Sequence, residues 1–402
     1  MEYRKKAARE HIERVRTALK DRVKTLSALS QWDIWGEGDS LLWKSGNFID
    51  KPWFYPVYHF RDTYSFSPLS LILLKGKVIL NPKAVNITRK RNFFYLPLPG
   101  SIDREISRLG APMISSNSLF SETEYANHLA SAIRSDVKRI EKQHRGTTNI
   151  VLCGGKDSLN LLLLPWENSV MAASAPPNYE LVCQFVSENQ LKIDVIKLCD
   201  TKDEDVLGAE IAENCSRMNL EHCRWGADLQ RLCQETHGKV LFWKGQVADA
   251  LTTPKWESLC HPVDGLWHQF LRSYNLIKRV LPDRIRELVA RRIIEPRFRI
   301  TLWQRCAMWQ GSHMSLIRAI TGSHVFSAYH GPETTRVFGE VDLTRAVLSD
   351  MRILVGKILA GSDVWYPSLN PAPPPSKFRE GLARADLFLD ILKNAGVKII
   401  SG

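Results

Sequence analysis

The chain has 402 residues, 44% of them hydrophobic, enough for two or three domains with sizeable cores. Its 55 Lys and Arg against 43 Asp and Glu give a formal charge of +12, which attracts anions: nucleic acid, an acidic carrier or a nucleotide. No apolar run approaches the ~20 residues of a membrane helix, and the charged start MEYRKKAAREHIERVR has no apolar export segment behind it. A membrane-spanning class is therefore excluded and a cytoplasmic location expected.

Residues 1–30 carry Ala8, Ile12, Val15, Leu19, Val23 and Leu26 at steps of three and four, the apolar stripe of a basic amphipathic helix. Such a stripe needs a partner. Its own chain or a second subunit is the expected one, with a nucleic-acid or anionic-surface arm as the alternative. From 31 to 120 short aromatic and β-branched stretches (53–55, 71–74, 78–80, 93–98), broken by Gly and Pro, predict a small, mostly β domain.

Ser121 opens a helix with Glu122 and Glu124 in its first turn, continued by Tyr125, Leu129, Ile133, Val137 and Ile140. An apolar strand over 149–152 runs into Cys153-Gly154-Gly155-Lys156-Asp157-Ser158, and 159–164 continues as a helix. Strands at 169–174, 193–198 and 239–243 then alternate with helices at 179–190, near 203–218 and near 229–235. That alternation predicts an α/β fold, a parallel sheet flanked by helices on both faces.

Beyond Trp256 the sequence is helical in character to about 359. It includes a basic stretch with Arg272, Lys278, Arg279, Arg284, Arg286, Arg291, Arg292, Arg297, Arg299 and Arg305. A solvated helical face accounts for it; an anionic-substrate or RNA face is the alternative. Pro367, Pro371 and Pro373 to Pro375 make a stiff connector before a last helix over 380–395. The expected organisation is a basic helix (1–30), a small β-containing domain (31–120), an α/β domain with a helical C-terminal part (121–365), and a Pro-rich connector with a C-terminal helix (366–402).

The eight cysteines form no CxxC pair and no CxxH or HxxxH accompanies them, which argues against a zinc site or a disulfide framework. Most read as small buried apolar residues; Cys153 stands apart by its place in the glycine loop.

A strand that ends in two glycines and enters a helix turns backbone N–H groups outward at the positive end of the helix dipole, which suits a phosphate. Here Lys156 adds a cation, Ser158 a hydroxyl, and Asp157 a carboxylate able to hold magnesium against phosphate oxygens. The loop is not a GxxxxGK[ST] P-loop, so γ-phosphate transfer is not the natural chemistry.

CGGKDS resembles the SGGxDS signature of the PP-loop (N-type ATP pyrophosphatase) enzymes, of the adenine nucleotide alpha hydrolase-like fold, which cleave ATP between its α and β phosphates and adenylate a substrate oxygen. Cys153 replaces their first Ser, and a thiol is a poorer donor to pyrophosphate. The surroundings are similar to the synthetase domain of asparagine synthetases and of their relatives, the β-lactam synthetases and lasso-peptide cyclases. The helix from Ser121, with its Glu124-Tyr125 step, precedes the loop at the family's distance. The segment 244–251, KGQVADAL, resembles their GEGADEL, retaining Gly245, Ala248, Asp249 and Leu251, while Gln246 and Ala250 replace acidic residues. Tyr329-His330-Gly331-Pro332 and the stretch from Arg352 are faintly like two later segments.

The resemblance implies ATP and Mg2+ as cofactors and Cys153, Gly154, Gly155, Lys156, Asp157 and Ser158 as the pyrophosphate cradle. It implies Asp157 and Asp249 as metal ligands, and Arg352 or Lys357, with Lys244, as the cation that stabilises the transferring phosphate. His330, Tyr329 and Glu333 are candidates for acid–base work or for structure. The family's glutaminase begins with a Cys after the initiator Met; Glu2 stands there, so the amine is expected from a substrate, from free ammonia or from a partner protein. The implied activity is an AMP- and pyrophosphate-forming amide-bond synthetase acting on carboxylate and amine substrates, small molecules or peptides. A PP-loop enzyme modifying tRNA or a nucleobase, and a degenerate nucleotide-binding subunit of a larger complex, are the alternatives.

Overall fold

A computed structural model describes residues 2–20, 23–25, 42–44, 58–65, 67–82, 101–108, 120–199, 212, 225–237, 239–246, 248–253, 270, 273–274, 276–277, 280–289, 292–293, 317, 321–341, 346–368 and 385–401. Six short strands come first, β1 (Val23–Thr25), β2 (Leu42–Lys44), β3 (Tyr58–Phe60), β4 (Thr63–Ser65), β5 (Lys77–Ile79) and β6 (Ser107–Arg108). The centre of the described residues is a five-stranded, all-parallel sheet: β7 (Thr148–Leu152), β8 (Val170–Ser174), β9 (Asp194–Lys197), β10 (Val240–Lys244) and β11 (His324–Ser327), in the order β11-β10-β7-β8-β9. The chain steps outward from β7 through β8 to β9, then crosses back to place β10 on the other side of β7. The order reverses between β7 and β10, and loops leaving the carboxyl ends of those two strands diverge into a crevice.

Burial explains the strand composition. Ile150, Val151, Leu241, Phe242, Trp243, Val325 and Phe326 are sealed between helices on both faces, so they read as continuous apolar runs. Burying a residue such as Phe242 or Phe326 contributes roughly 1.5–3 kcal/mol. Trp243 donates its indole N–H to Asn149 Oδ1 at 2.8 Å, and Asn149 donates to Glu141 Oε1 at 2.8 Å. Glu141 also accepts from the backbone N–H of Glu167 and Asn168, so this buried polar chain has its partners.

The long helix over Glu122–Gln143 begins with a complete capping box between Ser121 and Glu124. It tethers the later part of the chain. Glu122 Oε1 accepts from Leu348 N and Ser349 N, Arg134 donates to the carbonyls of Ile358 and Leu359, and the Tyr125 hydroxyl donates to Leu251 O at 3.0 Å. Asp136 accepts from Glu333 N, Thr334 N and Thr334 Oγ1, each at 3.0 Å, at the start of the helix Pro332–Glu340. A Cβ on Gly331 would lie 2.1 Å from Asp136 Oδ2, which explains the glycine.

Burial outweighs the three donated bonds and pushes the Asp136 carboxyl from 3.8 up to about 7. Its folded value is above its unfolded one, so its contribution to stability is full below pH 3.8 and is lost as pH rises through 7. Thermal melts from pH 4 to 8 should show this decline, bounded at roughly 4 kcal/mol. Asp136→Asn should be less stable at acid pH yet flatter across the window.

A second core unites the two ends of the chain. Ala8 and Ile12 of helix Glu2–Lys20 pack with Leu69, Leu71 and Ile72 and with Phe388, Ile391 and Leu392 of helix Ala385–Asn394. The strand Lys398–Ile400 pairs in parallel with Lys77–Ile79. The C-terminal segment thus folds onto the N-terminal region.

Several expectations are corrected. The amphipathic helix ends at Lys20, and Val23 lies in a strand; the side chain of Leu19 and all of Leu26 lie outside the described residues. Residues 71–74 are helical, within Pro68–Lys75, because Pro68 starts the turn and Gly76 at φ 69° stops it. Its buried residues leave no periodicity to tell helix from strand. The stretch after Trp256 is not uniformly helical: His324–Ser327 supplies an edge strand too short to show a period. The helix after the glycine loop starts at Lys156 and tightens to a 3-10 turn over Asn160–Leu163. The helix near 203–218, apart from Ala212, lies outside the described residues, as do Pro371, Pro373 to Pro375, Arg272, Lys278, Arg279, Arg291, Arg297, Arg299 and Arg305. Arg284, Arg286 and Arg292 are exposed. Among the described residues no helix is long and apolar enough to cross a membrane.

Candidate functional site

The glycine loop leaves β7 at the point where the strand order reverses. Beside it, β10 ends in register, with Lys244 opposite Leu152. The two exits share a cleft of about 330 Å³, within the ~300–1,000 Å³ range of small-molecule sites. Loop residues Cys153 to Gly155, Asp157 and Ser158 line it with Lys244, Gly245 and Gln246, and Ala173 to Ala175, Leu198 and Trp225 complete the wall.

The loop is held from within. Ser158 Oγ accepts from Gly154 N at 3.0 Å and donates to Gly155 O at 2.9 Å, and Ser174 Oγ donates to Cys153 O at 2.7 Å. The Ser158 hydroxyl is therefore engaged in shaping the turn, while Ser158 itself lines the cleft. Among the described residues the backbone N–H groups of Gly155 and Lys156 meet no acceptor, so two donors remain for an anion. Cys153 is buried, and burial pushes its thiol up to about 12 despite a hydrogen bond to Ser158. Burial thus keeps it a neutral thiol.

Gly245 fixes the distance between the two exits. A Cβ there would lie 2.5 Å from Ser158 N, 2.6 Å from Asp157 C and 2.7 Å from Asp157 O, so only glycine lets the end of β10 press on the loop backbone. The short helix Ala248–Thr252 that follows is anchored by buried Ala248 and Leu251 and by the Tyr125 bond to Leu251 O. Asp249 is on that helix; its side chain lies outside the described residues.

Arg352, first residue of helix Arg352–Ala360, reaches the loop from the other side. Its Nη1 lies 3.5 Å from Asp157 Oδ1, while Nε donates to Asp350 Oδ1 at 2.8 Å and Nη2 donates to Asp350 Oδ2. These bonds hold the Asp350 carboxyl below its usual range, with Lys156 nearby adding to the effect, and they raise the arginine further. Asn160 carries the backbone support, donating to Arg352 O at 2.9 Å and accepting from the Tyr366 hydroxyl at 2.6 Å. Gly356 makes room: a Cβ there would lie 1.6 Å from the Tyr366 oxygen.

The remaining candidates lie elsewhere. Lys357 is exposed and pairs with Asp363 at 2.7 Å; like Lys156 and Arg352, it is not among the residues that line the cleft. It sits five residues past Arg352, on another side of the helix. Tyr329 is fully buried; burial, and next the charge of Asp157, raise its hydroxyl far above the ordinary range. His330 is buried and driven well below its usual value, hence neutral. Glu333 pairs with Arg336 on the surface. Sequence reasoning missed Ser174, Trp225, Asn160 and Asp350. The one legible signal was Ser174, a hydroxyl closing an apolar strand, matched by Ser327, which donates to Gln246 O at 3.1 Å.

No protein-family model matches the chain, and no curated protein matches it either.

Proposed function

We propose that the chain is an ATP-dependent amide-bond synthetase of the PP-loop, asparagine-synthetase-like kind, working in the cytoplasm, which adenylates a carboxylate and passes it to an amine. The observation that carries this is the contact of Gly245 with the Asp157–Ser158 backbone, which brings the two motifs that prompted the resemblance into one cleft at the reversal of strand order. Open sheets of this type bind ligands there.

In the first half-reaction a carboxylate oxygen attacks the α-phosphorus, the α–β bridging bond breaks, and pyrophosphate leaves. In the second the amine nitrogen attacks the acyl carbon, AMP leaves, and the amine proton passes to solvent. The N–H groups of Gly155 and Lys156 suit the phosphate end, and Lys244 and Arg352 place positive charge where negative charge accumulates. The apolar lining residues Ala173, Ala175, Leu198 and Trp225 suit a base or an acyl group.

Magnesium takes most of its ligands from phosphate and water and one or two from protein oxygens. Asp157 and Gln246 Oε1, a buried amide oxygen that meets no donor among the described residues, are hard ligands on this cleft and fit such an ion. When bound it neutralises phosphate charge.

The product pair tests the reading. With ATP, magnesium and mixed carboxylic acids and amines, AMP and pyrophosphate should form in equal amounts; ADP and phosphate overturn it. One observation favours a second reading, a subunit that binds nucleotide without turnover: Ser158 and Asp157 already have partners. ATP binding by calorimetry with no pyrophosphate released in any mixture would identify that subunit.

A further inference from the structure

The charges at the loop do not leave Oδ1 of Asp157 open to a metal ion. Its Oδ1 is buried and faces the guanidinium of Arg352, whose side chain is only 15% exposed. A positive group fixed there repels a second cation, and so little exposure spares the pair most of the screening that weakens surface ion pairs. Arg352 is anchored at both ends, its fork on Asp350 and its backbone carbonyl on Asn160. The Nη1 that faces Asp157 is the part of the fork that Asp350 does not hold.

A polyphosphate changes the balance. Arriving at the N–H groups of Gly155 and Lys156, near Lys244, it brings several anionic oxygens within reach of a guanidinium. Phosphate accepts charge-assisted bonds that match the planar fork.

We propose that Arg352 is a latch on Asp157: without nucleotide it masks the carboxylate from divalent cations, and a polyphosphate on the loop draws Nη1 away and uncovers it. The inference rests on the nucleotide reading and adds an order of events. The free cation has little affinity for the protein, and the metal enters with or after the nucleotide.

The full chain is titrated with Mn2+ and no nucleotide, following the free-ion signal by electron paramagnetic resonance. Wild type should bind weakly. Arg352→Gln should bind about tenfold or more tightly, since one charge beside the site is gone. Adding Asp157→Asn should abolish that gain. Should Arg352→Gln fail to fold, Arg352→Lys carries the test, because an ammonium bonds one carboxylate less completely than the fork bonds two; a gain of about threefold is expected. Equal Mn2+ affinity in wild type and the Arg352 variant, with ATP binding intact in wild type, overturns the latch and leaves the nucleotide reading standing. Absence of ATP binding by wild type sinks that reading itself, whatever the Mn2+ titration gives.

Discussion

Asp157→Ala is expected to leave the fold intact and to lower AMP and pyrophosphate formation by about 10²–10³, the size of effect seen when one preorganised charge-stabilising group is removed. The fold should survive because the carboxylate is half-buried at the cleft, outside the apolar core, and Arg352 keeps its stronger partner, Asp350. Melting temperature and product formation separate the two effects. A variant that melts like wild type and turns over ATP at the wild-type rate removes Asp157 from the chemistry and with it the metal assignment.

Gly245→Ala should have the larger structural effect. The added methyl group would sit 2.5–2.7 Å from backbone atoms of Asp157 and Ser158, and backbone, unlike the end of a flexible side chain, has nowhere to swing. Either the loop or the end of β10 must move. Overpacking of this kind costs about 1–3 kcal/mol, and a loop shifted by that contact should bind ATP at least about tenfold more weakly. Gly154→Ala is the control, since a Cβ there meets nothing within 4 Å. Calorimetric melts in which the two variants behave alike would show that close approach is not what Gly245 provides.

How much of this was legible in the sequence depended on the range of the interaction. The helix start at Ser121 with Glu122 and Glu124 in its first turn, the amphipathic run to Ile140 and the buried strand ahead of the glycine loop are set by neighbours within a few residues, and local pattern exposed them. The edge strand at His324–Ser327 has four residues and the helix Pro68–Lys75 is buried along most of its length, so neither carries a period. Motif spacing drew Arg352 and Lys357 together as equals. The helix separates them, turning Arg352 to the loop and Lys357 toward Asp363, and its placement comes from Glu122 and Arg134 more than 220 residues earlier.

By itself the sequence determined the α/β alternation and the glycine loop between a central strand and a helix, because strand, turn and helix signals act over a few residues. Tertiary structure decided what that loop's groups face. The hydroxyl of Ser158 turns inward, the thiol of Cys153 is buried and neutral, Gly245 becomes a contact surface, and Asp157 finds Arg352. Charge pairing and burial are properties of groups brought together from distant parts of the chain, and no local pattern encodes which carboxylate a distant arginine will reach.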